Sequence, residues 1–275
     1  MSLKNLEVYK FYKELPFNIS GNEKLHTEQL KNFNPLEVYP ELKKIISNYK
    51  KIKIIDFGCG AGWLVNSLSY HLGNKAEVTG VDFNPIAIKY ANGIKNEMRL
   101  KSKFYTSDIA SFSSRNKYDL IISLGVLHHT NDCVKAIKHI SLYGKDNSSL
   151  FLGLYHKYGR KPFLDYFKKI KNNSNDFKFE MYKKMHKNIK DEKKIYSWFR
   201  DQVLHPHETQ HTFEELIKVF NSCKYEIVST SINKFKKIKN FREIIHLEKK
   251  LYDYGKNKIN KMEYYPGFFI TVGKK

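Results

Sequence analysis

Short β-branched runs alternate with segments of helical period through the middle of the chain. The run "KIKIIDFG" (51–58) has the pattern of a buried strand, and Leu64, Leu68 and Leu72 then repeat at helical spacing. The run "EVTGVDF" (77–83) is a second strand, and a second amphipathic segment follows it. This alternation is typical of parallel βαβ units. The pattern therefore predicts an α/β fold with a doubly wound sheet.

Five later segments complete the predicted sheet, and two stretches interrupt it. The later strands are 103–109, 118–125, 149–155, 225–232 and 264–273. The interruptions, 156–212 and 233–263, are rich in lysine, and they carry aromatic residues at helical intervals instead of strand patterns. They predict helical insertions after strand 5 and before the last strand of a mostly parallel, seven-stranded sheet.

The composition is that of a globular protein, with 41% hydrophobic and 15% aromatic residues. No apolar run reaches the roughly 20 residues of a membrane helix, and the N-terminus "MSLKNLEVYKFYKELPF" is too charged for a signal peptide. Cys59, Cys133 and Cys223 are odd in number and form no CxxC pair, so they predict neither a disulfide framework nor a cysteine metal site. We expect a cytoplasmic protein without a membrane partner.

The net charge of +21 leaves two interpretations open. A basic surface attracts nucleic acid or an anionic membrane. The basic residues are mostly lysine and are accompanied by many Asn and Ile, which is also what the codon usage of an A/T-rich genome produces. Charge alone therefore keeps nucleic acid possible as a partner without favouring it.

The motif "DFGCGAGWL" places Asp56, Gly58, Gly60 and Gly62 at the end of the first strand and the start of a helix. Glycines let the backbone approach a ligand closely, and a helix N-terminus offers unpaired N–H groups. A dinucleotide fingerprint needs a third glycine where this chain has Trp63. The indole disfavours a pyrophosphate.

An acidic residue, Asp82, ends the second strand, where a carboxylate can accept hydrogen bonds from both hydroxyls of an unphosphorylated ribose. Together with the glycine loop, it predicts a nucleoside ligand that lacks a pyrophosphate. Asp56 and Asp82 could instead be turn residues.

At these motifs the chain resembles the class I S-adenosylmethionine-dependent methyltransferases. The resemblance runs in order through 51–155 and less specifically through 213–232 and 264–273. It includes "TSDI", similar to the adenine-edge motif, and "YDLIISLGVLHHTND", similar to the fourth-strand motif. The resemblance implies the cofactor S-adenosyl-L-methionine, with the product S-adenosyl-L-homocysteine and no metal. The implied cofactor-binding residues are Asp56, Gly58, Cys59, Gly60, Gly62, Asp82, Phe83, Asp108, Ile109, Ser123 and Leu124. Asp108 could instead cap a helix.

The chain has no linker rich in Pro, Gly and Ser and no internal repeat, so we predict a single methyltransferase domain, 1–275. Its predicted parts are an N-terminal helical lid (1–50), a cofactor-binding core (51–155), a helical substrate insertion (156–212), the rest of the sheet core (213–232 and 264–275) and a second helical insertion (233–263). The N-terminal segment could equally be an amphipathic helix packed on the sheet edge.

Ligands of open α/β sheets bind beyond the carboxyl ends of the strands, which places the acceptor of the methyl group near the start of the first insertion. The predicted substrate contacts are Tyr12, His129, Tyr155, His156, Arg160, Arg200, His205 and His211. The two arginines predict an anionic acceptor, since arginine binds carboxylate or phosphate bidentately.

The stretch "HPHETQHT" (205–212) has three interpretations: an acceptor pocket, a structurally satisfied loop, or a metal site. We favour the acceptor pocket and predict His207 as the base. His128 is a second catalytic candidate, although the pair His128 and His129 could serve only for packing.

The chain is therefore predicted to methylate an O or N nucleophile of a small polar, anionic metabolite or sugar. An RNA (tRNA) methyltransferase that uses the basic insertions is the first alternative, and a non-catalytic cofactor-binding module is the second. The set "LYHKYGR", "WFRDQ", "HPHETQHT" and "YYPGFF" also resembles a group of bacterial methyltransferases with unassigned substrate. The sequence does not determine the oligomeric state.

Overall fold

A computed structural model describes residues 3–14, 17, 23–170 and 174–275; residues 1–2, 15–16 and 18–22 of the predicted lid lie outside the described residues. The strands are β1 (Ile52–Phe57), β2 (Ala76–Asp82), β3 (Lys103–Thr106), β4 (Tyr118–Leu124), β5 (Gly144–Tyr155), β6 (Glu226–Thr230) and β7 (Phe268–Lys274). The helices are α1 (Leu3–Glu14), α2 (Glu23–Asn32), α3 (Pro35–Val38), α4 (Pro40–Ser47), α5 (Trp63–Leu72), α6 (Pro85–Glu97), α7 (Cys133–Ser141), α8 (Lys157–Lys169), α9 (Asn175–Met185), α10 (Glu192–Val203), α11 (Phe213–Ser222), α12 (Phe241–Lys249) and α13 (Leu251–Asn260).

The seven strands form one sheet in the order β3-β2-β1-β4-β5-β7-β6. β7 runs antiparallel to its neighbours β5 and β6, and the other pairs are parallel. The predicted α/β, doubly wound, mostly parallel sheet with two helical insertions is therefore confirmed. The strand order reverses between β1 and β4, and the loops after these strands open the crevice in which such sheets bind ligands.

Helices cover both faces of the sheet because alternate side chains of its strands are apolar on both sides. On one face, Leu42, Val65 and Leu68 of α4 and α5 pack against β1 and β2. On the other face, Ile137 of α7 and Phe220 of α11 pack against β4 and β5. Parallel strands buried on both faces show the near-continuous apolar runs that the sequence contains.

The two insertions pack on each other and form a third apolar core. Its buried members come from α8, α9, α10 and α13: Phe163, Phe167, Tyr182, Met185, Ile195, Phe199 and Ile259. This core fixes α10 beside the carboxyl edge of the sheet. Across the described ranges, no helix is both long enough and apolar enough to cross a membrane.

Candidate active site

A cavity of about 830 Å³ opens beyond the carboxyl ends of the strands. One side is formed by the loops that follow β1, β2, β3 and β4, and the other by α1, α10 and residues 264–268. Ligand sites commonly have volumes of about 300–1,000 Å³, so this cavity can hold a nucleoside cofactor together with a small second molecule.

The glycine loop lies in the cavity wall through Gly58 and Gly60. Gly58 has a φ of +78°, and a Cβ at this position would lie 2.4 Å from a Val126 methyl group. Gly60 has a φ of +50°, and its missing Cβ faces open space. Left-handed backbone and close approach both require glycine here. The loop therefore presents bare backbone to the cavity.

Asp82 is a buried carboxylate that holds this loop in place. Its Oδ2 accepts from the Gly60 N–H at 2.9 Å, and its Oδ1 accepts from the Asn84 N–H at 2.8 Å. Burial raises the pKa of Asp82, while these two N–H groups oppose that rise. Each oxygen keeps acceptor capacity for a further donor such as a ribose hydroxyl.

The other predicted cofactor residues form two groups. Phe83, Asp108, Ile109 and Leu124 line the cavity. The remaining four, Asp56, Cys59, Gly62 and Ser123, lie behind the wall formed by the described residues. Ser123 Oγ donates to the Phe57 carbonyl at 2.8 Å. Burial, followed by the charge of Asp82, raises the pKa of Asp56 to about 7.

The far end of the cavity is lined by polar and aromatic side chains, including Tyr12, Tyr155, Asp201, Gln202 and Tyr264. The Tyr12 hydroxyl donates to Asp201 Oδ1 at 2.5 Å. Burial and the adjacent carboxylate hold the pKa of Tyr12 well above its usual range. The Tyr264 hydroxyl donates to Gln202 Oε1 at 2.8 Å. These bonds fix polar groups around the space beside the cofactor half.

Arg160 does not reach this space, because the guanidinium is fully buried and bound by the protein. Its Nε and Nη2 donate to the two carboxylate oxygens of Glu208 at 3.0 and 2.7 Å. Nη2 also donates to the Gln202 carbonyl at 2.6 Å, and the group lies 3.8 Å from the centroid of the Tyr155 ring. A guanidinium with these partners holds Gln202, which lines the cavity, and Glu208, which lies outside its described wall.

Arg200 likewise bonds within the protein and connects α10 to α1. Its Nη2 donates to the Phe11 carbonyl at 3.2 Å and to Glu14 Oε2 at 3.3 Å. The guanidinium lies 4.4 Å from the centroid of the Phe11 ring. Asn84 Nδ2 also donates to α1, at the Tyr12 carbonyl, over 2.8 Å. These contacts hold Tyr12 in the cavity wall.

The histidines of the 205–212 stretch bond to neighbouring segments. His207 Nε2 donates to the Thr130 carbonyl at 3.1 Å. His211 pairs with His156 as an isolated parallel bridge beyond β5, and its Nδ1 lies 3.1 Å from Glu215 Oε2. His156 caps α8 and contacts Glu248 at 2.9 Å through Nε2. In the part of the chain that the structure describes, no three His, Cys, Asp or Glu side chains are placed to share a metal ion.

The His207 backbone fixes the tautomers of two other histidines. His129 Nδ1 contacts the His207 carbonyl at 2.9 Å, so Nδ1 carries the proton and Nε2 carries a lone pair. The His207 N–H donates to His205 Nδ1 at 3.1 Å, so the proton of His205 is on Nε2. Both Nε2 atoms are buried and have no hydrogen-bond partner among the described residues. Burial lowers the pKa of His129 to about 4 and that of His205 to about 3.

His129 lies in the cavity wall, whereas His128 lies behind it. The His128 ring is fully buried at 4.2 Å from the Tyr155 ring centroid. Burial holds the pKa of His128 well below its usual range. Its carbonyl accepts from the Thr209 N–H at 2.8 Å, which ties the 205–212 stretch to the loop after β4.

Of the predicted acceptor residues, Tyr12, His129 and Tyr155 therefore line the cavity. The others, His128, His156, Arg160, Arg200, His205, His207 and His211, are not part of its described wall. Sequence reasoning missed Asp201, Gln202 and Glu208. Asp201 and Gln202 directly follow Arg200 in the quoted run "WFRDQ" and lie on the same helix, α10. Their position beside a predicted substrate residue was a signal that the sequence contained.

A family model described as "Methyltransferase domain" matches residues 48–265. This chain belongs to the methyltransferase domain family. The prediction of a class I S-adenosylmethionine-dependent methyltransferase is confirmed for family, fold and enzyme class, and the cofactor is S-adenosylmethionine.

Among curated relatives, the chain is 28% identical over 165 residues to a ubiquinone biosynthesis O-methyltransferase of Pelagibacter ubique (strain HTCC1062), covering 57% of this chain and 67% of the relative. It is 30% identical over 131 residues to a malonyl-[acyl-carrier protein] O-methyltransferase of Bacillus anthracis, covering 45% of this chain and 44% of the relative. These matches therefore span only part of the relatives' length.

A solved structure of magnesium protoporphyrin IX methyltransferase from Synechocystis PCC 6803, with bound SAH, aligns with 100% of this chain and 94% of its own. The TM-score is 0.51 and the sequence identity is 18%. This similarity concerns the fold alone.

Proposed function

We propose that the protein is an O-methyltransferase that methylates a hydroxyl group of a small molecule bound beside His129. The observation that carries this proposal is the neutral His129 imidazole in the cavity wall, with its proton on Nδ1 and a lone pair on a buried Nε2. A hydroxyl nucleophile must lose a proton as its oxygen is methylated, and a positioned imidazole can accept it.

Gly58, Gly60, Asp82, Phe83 and Asp108 would hold the cofactor, since they line the cavity half beyond β1, β2 and β3. They fit an adenosine with an amino-acid tail, because the glycine loop leaves open space and Asp82 keeps acceptor capacity for ribose hydroxyls. When bound, S-adenosylmethionine supplies an electrophilic methyl group on a sulfonium sulfur. The loop residues and Asp82 would orient this group toward the far end of the cavity.

His129 would take the acceptor's proton on Nε2 while its Nδ1–H stays bonded to the His207 carbonyl. Burial and the Arg160 charge disfavour the resulting imidazolium, whereas the His207 carbonyl and the Glu208 carboxylate favour it. His207 would therefore act through its backbone as a positioning residue, rather than as the base that the sequence predicted. Tyr12 and α1 would exclude water from the cavity, which is the role of the predicted lid.

An O nucleophile is also consistent with the names of the two curated relatives, both of which are O-methyltransferases. An anionic acceptor receives no such support. The two arginines that suggested it, Arg160 and Arg200, bond to Glu208 and to Glu14.

The test is methyl transfer from labelled cofactor to the small-molecule, RNA and protein fractions of a cell lysate. His129→Asn should lower transfer to small molecules by about 10²–10⁴-fold, because the proton acceptor is lost while an amide still bonds the His207 carbonyl. Its affinity for S-adenosylhomocysteine should stay within a few fold of wild type. His139→Asn is the matched control, since His139 lines the same cavity but its Nε2 bonds to the Phe112 carbonyl.

Full transfer by the His129→Asn variant would overturn the proposal. Label that entered only the RNA fraction would favour the alternative of an RNA methyltransferase that uses the basic insertions. Cofactor binding with no transfer to any fraction would favour the non-catalytic module.

A further inference from the structure

We propose that the methyl acceptor carries a cationic amine, which the Asp201 carboxylate binds against aromatic walls at the far end of the cavity. This inference rests on the proposed function, because it names the class of molecule that would bring its hydroxyl to His129. It replaces the anionic acceptor that the arginines suggested with one of opposite charge.

Asp201 is buried and, within the described ranges, has no ion-pair partner. Its side chain lines the cavity and is 9% exposed. Its Oδ1 accepts a hydrogen bond from the Tyr12 hydroxyl, and within the described ranges it forms no salt bridge. A buried carboxylate is costly unless a cation or several donors compensate its charge. A cationic group in the cavity would supply that compensation.

The basic side chains near Asp201 are either paired with other carboxylates or neutral. Arg160 binds both oxygens of Glu208, and Arg200 binds Glu14. His205, one helical turn after Asp201, is neutral because burial lowers its pKa to about 3. None of these three groups forms an ion pair with Asp201, and Arg160 acts on it only through its charge, which favours the ionised carboxylate.

Positively charged side chains are scarce in the described wall of the cavity. The described wall residues include one lysine, Lys135, and no arginine. Lys135 pairs with Asp132 at the start of α7. Burial raises the pKa of Asp201, while the Tyr12 hydroxyl and the Arg160 charge oppose that rise. The Asp201 end of the described wall therefore holds a carboxylate with no Lys or Arg side chain of the wall beside it. An anionic molecule would be repelled from this end, whereas an ammonium group would be attracted.

Aromatic side chains share the cavity wall with Asp201. Tyr12, Tyr264 and Phe268 line the same cavity as Asp201. Burial raises the pKa of Tyr12 well above its usual range and that of Tyr264 to about 12. The charge of Asp201 adds to both rises. Both hydroxyls therefore stay protonated and neutral. Aromatic faces beside a carboxylate favour an organic cation.

The experiment uses the full chain saturated with S-adenosylhomocysteine, so that the cofactor half is filled. Two probes of matched shape, 2-phenylethylammonium and 2-phenylethanol, are titrated by NMR. Wild type should bind the ammonium probe at least tenfold more tightly than the alcohol. Asp201→Asn should weaken binding of the ammonium probe at least tenfold and leave alcohol binding within about twofold. Asp132→Asn, which changes the wall carboxylate that caps α7, should leave both affinities unchanged.

Equal binding of the two probes to wild type would overturn the inference, and this comparison does not depend on any variant folding. An unchanged ammonium preference in Asp201→Asn would also overturn it. So would a loss of S-adenosylhomocysteine affinity greater than tenfold in that variant, because Asp201 would then serve the cofactor's own ammonium group. His129→Asn should keep the ammonium preference while losing methyl transfer, so failure of the proposed base and failure of the amine site are distinguishable.

Discussion

The two halves of the cavity use their chemically active residues in different ways. In the half beyond β1, β2 and β3, Gly58, Gly60 and Asp82 lie in the wall. In the half built from the first insertion, Arg160 and His207 bond to the protein instead. Local backbone geometry places a glycine loop at a strand end, whereas a long side chain from an insertion takes whichever partner the tertiary fold brings to it. Residue type alone therefore identifies residues of the cavity wall better in the first half.

The sharpest way to break this comparison is to remove Arg160. Arg160→Met should lower the free energy of unfolding by about 3–5 kcal/mol, because it removes a fully buried guanidinium and leaves the largely buried Glu208 carboxylate without its cationic partner. Thermal and denaturant unfolding measure this loss. Lys161→Ala, which changes an exposed neighbour on α8, should unfold like wild type. A stable Arg160→Met variant with reduced acceptor binding would show instead that Arg160 serves the ligand.

The cofactor half should respond most strongly in affinity, with a smaller loss of stability because Asp82 also accepts from the Gly60 and Asn84 N–H groups. Asp82→Ala removes charge-assisted hydrogen bonds to the ribose, each contributing about 1.5–3 kcal/mol, and should weaken S-adenosylhomocysteine binding about 100-fold or more. Calorimetry measures the change. Asp119→Ala alters a β4 carboxylate that bonds Lys145 and should bind like wild type. Wild-type affinity in Asp82→Ala would contradict the assignment of the cofactor half.

The smallest expected effect concerns the contact between α1 and α10. Arg200→Ala removes a cation–π contact and two hydrogen bonds at a partly exposed site, for a loss of about 1 kcal/mol. Amide hydrogen exchange in α1 should become faster, and S-adenosylhomocysteine affinity should fall about fivefold. Lys10→Ala, an exposed change on the same helix, is the control. Unchanged exchange in α1 would show that Arg200 does not hold the predicted lid in place.

Strand and helix patterns were sufficient to predict the sheet, because buried parallel strands have a strong local signature. Their ends were less predictable. β5 begins at Gly144, before the predicted 149, and β7 begins at Phe268, after the predicted 264. Residues 264–267 are not part of the strand. Gly267 has a φ of +73°, outside the range of a strand, and the Pro266 carbonyl accepts from Arg160 Nη1. That interaction spans 106 positions of sequence and has no local signal.

The same limit applies to the histidine stretch. Its capping residue Thr212 is readable from the sequence, and Thr212 Oγ1 accepts from the Glu215 N–H as that pattern predicts. The partner of Glu208 is 48 residues away, and the residue whose tautomer His207 fixes is 78 residues away.

The bonds of His207 and His211 are those expected of a structural loop, and the His207 carbonyl also bonds to His129 Nδ1. His205 Nε2 stays without a partner among the described residues. Composition could not distinguish a structural loop from a loop that contacts the acceptor directly.

The most direct test of the account is the protonation state of His129, measured by nitrogen-15 NMR of histidine-labelled protein from pH 8 to pH 4. Its pKa should be about 4, with the proton on Nδ1 throughout the neutral range. Because the unfolded chain protonates this residue near pH 6.5, the folded state should lose about 1.4 kcal/mol per pH unit from this residue as pH falls from 6.5 to 4. His129→Asn should lack that contribution. A His129 signal with the proton on Nε2, or with a pKa near 6.5, would contradict the account.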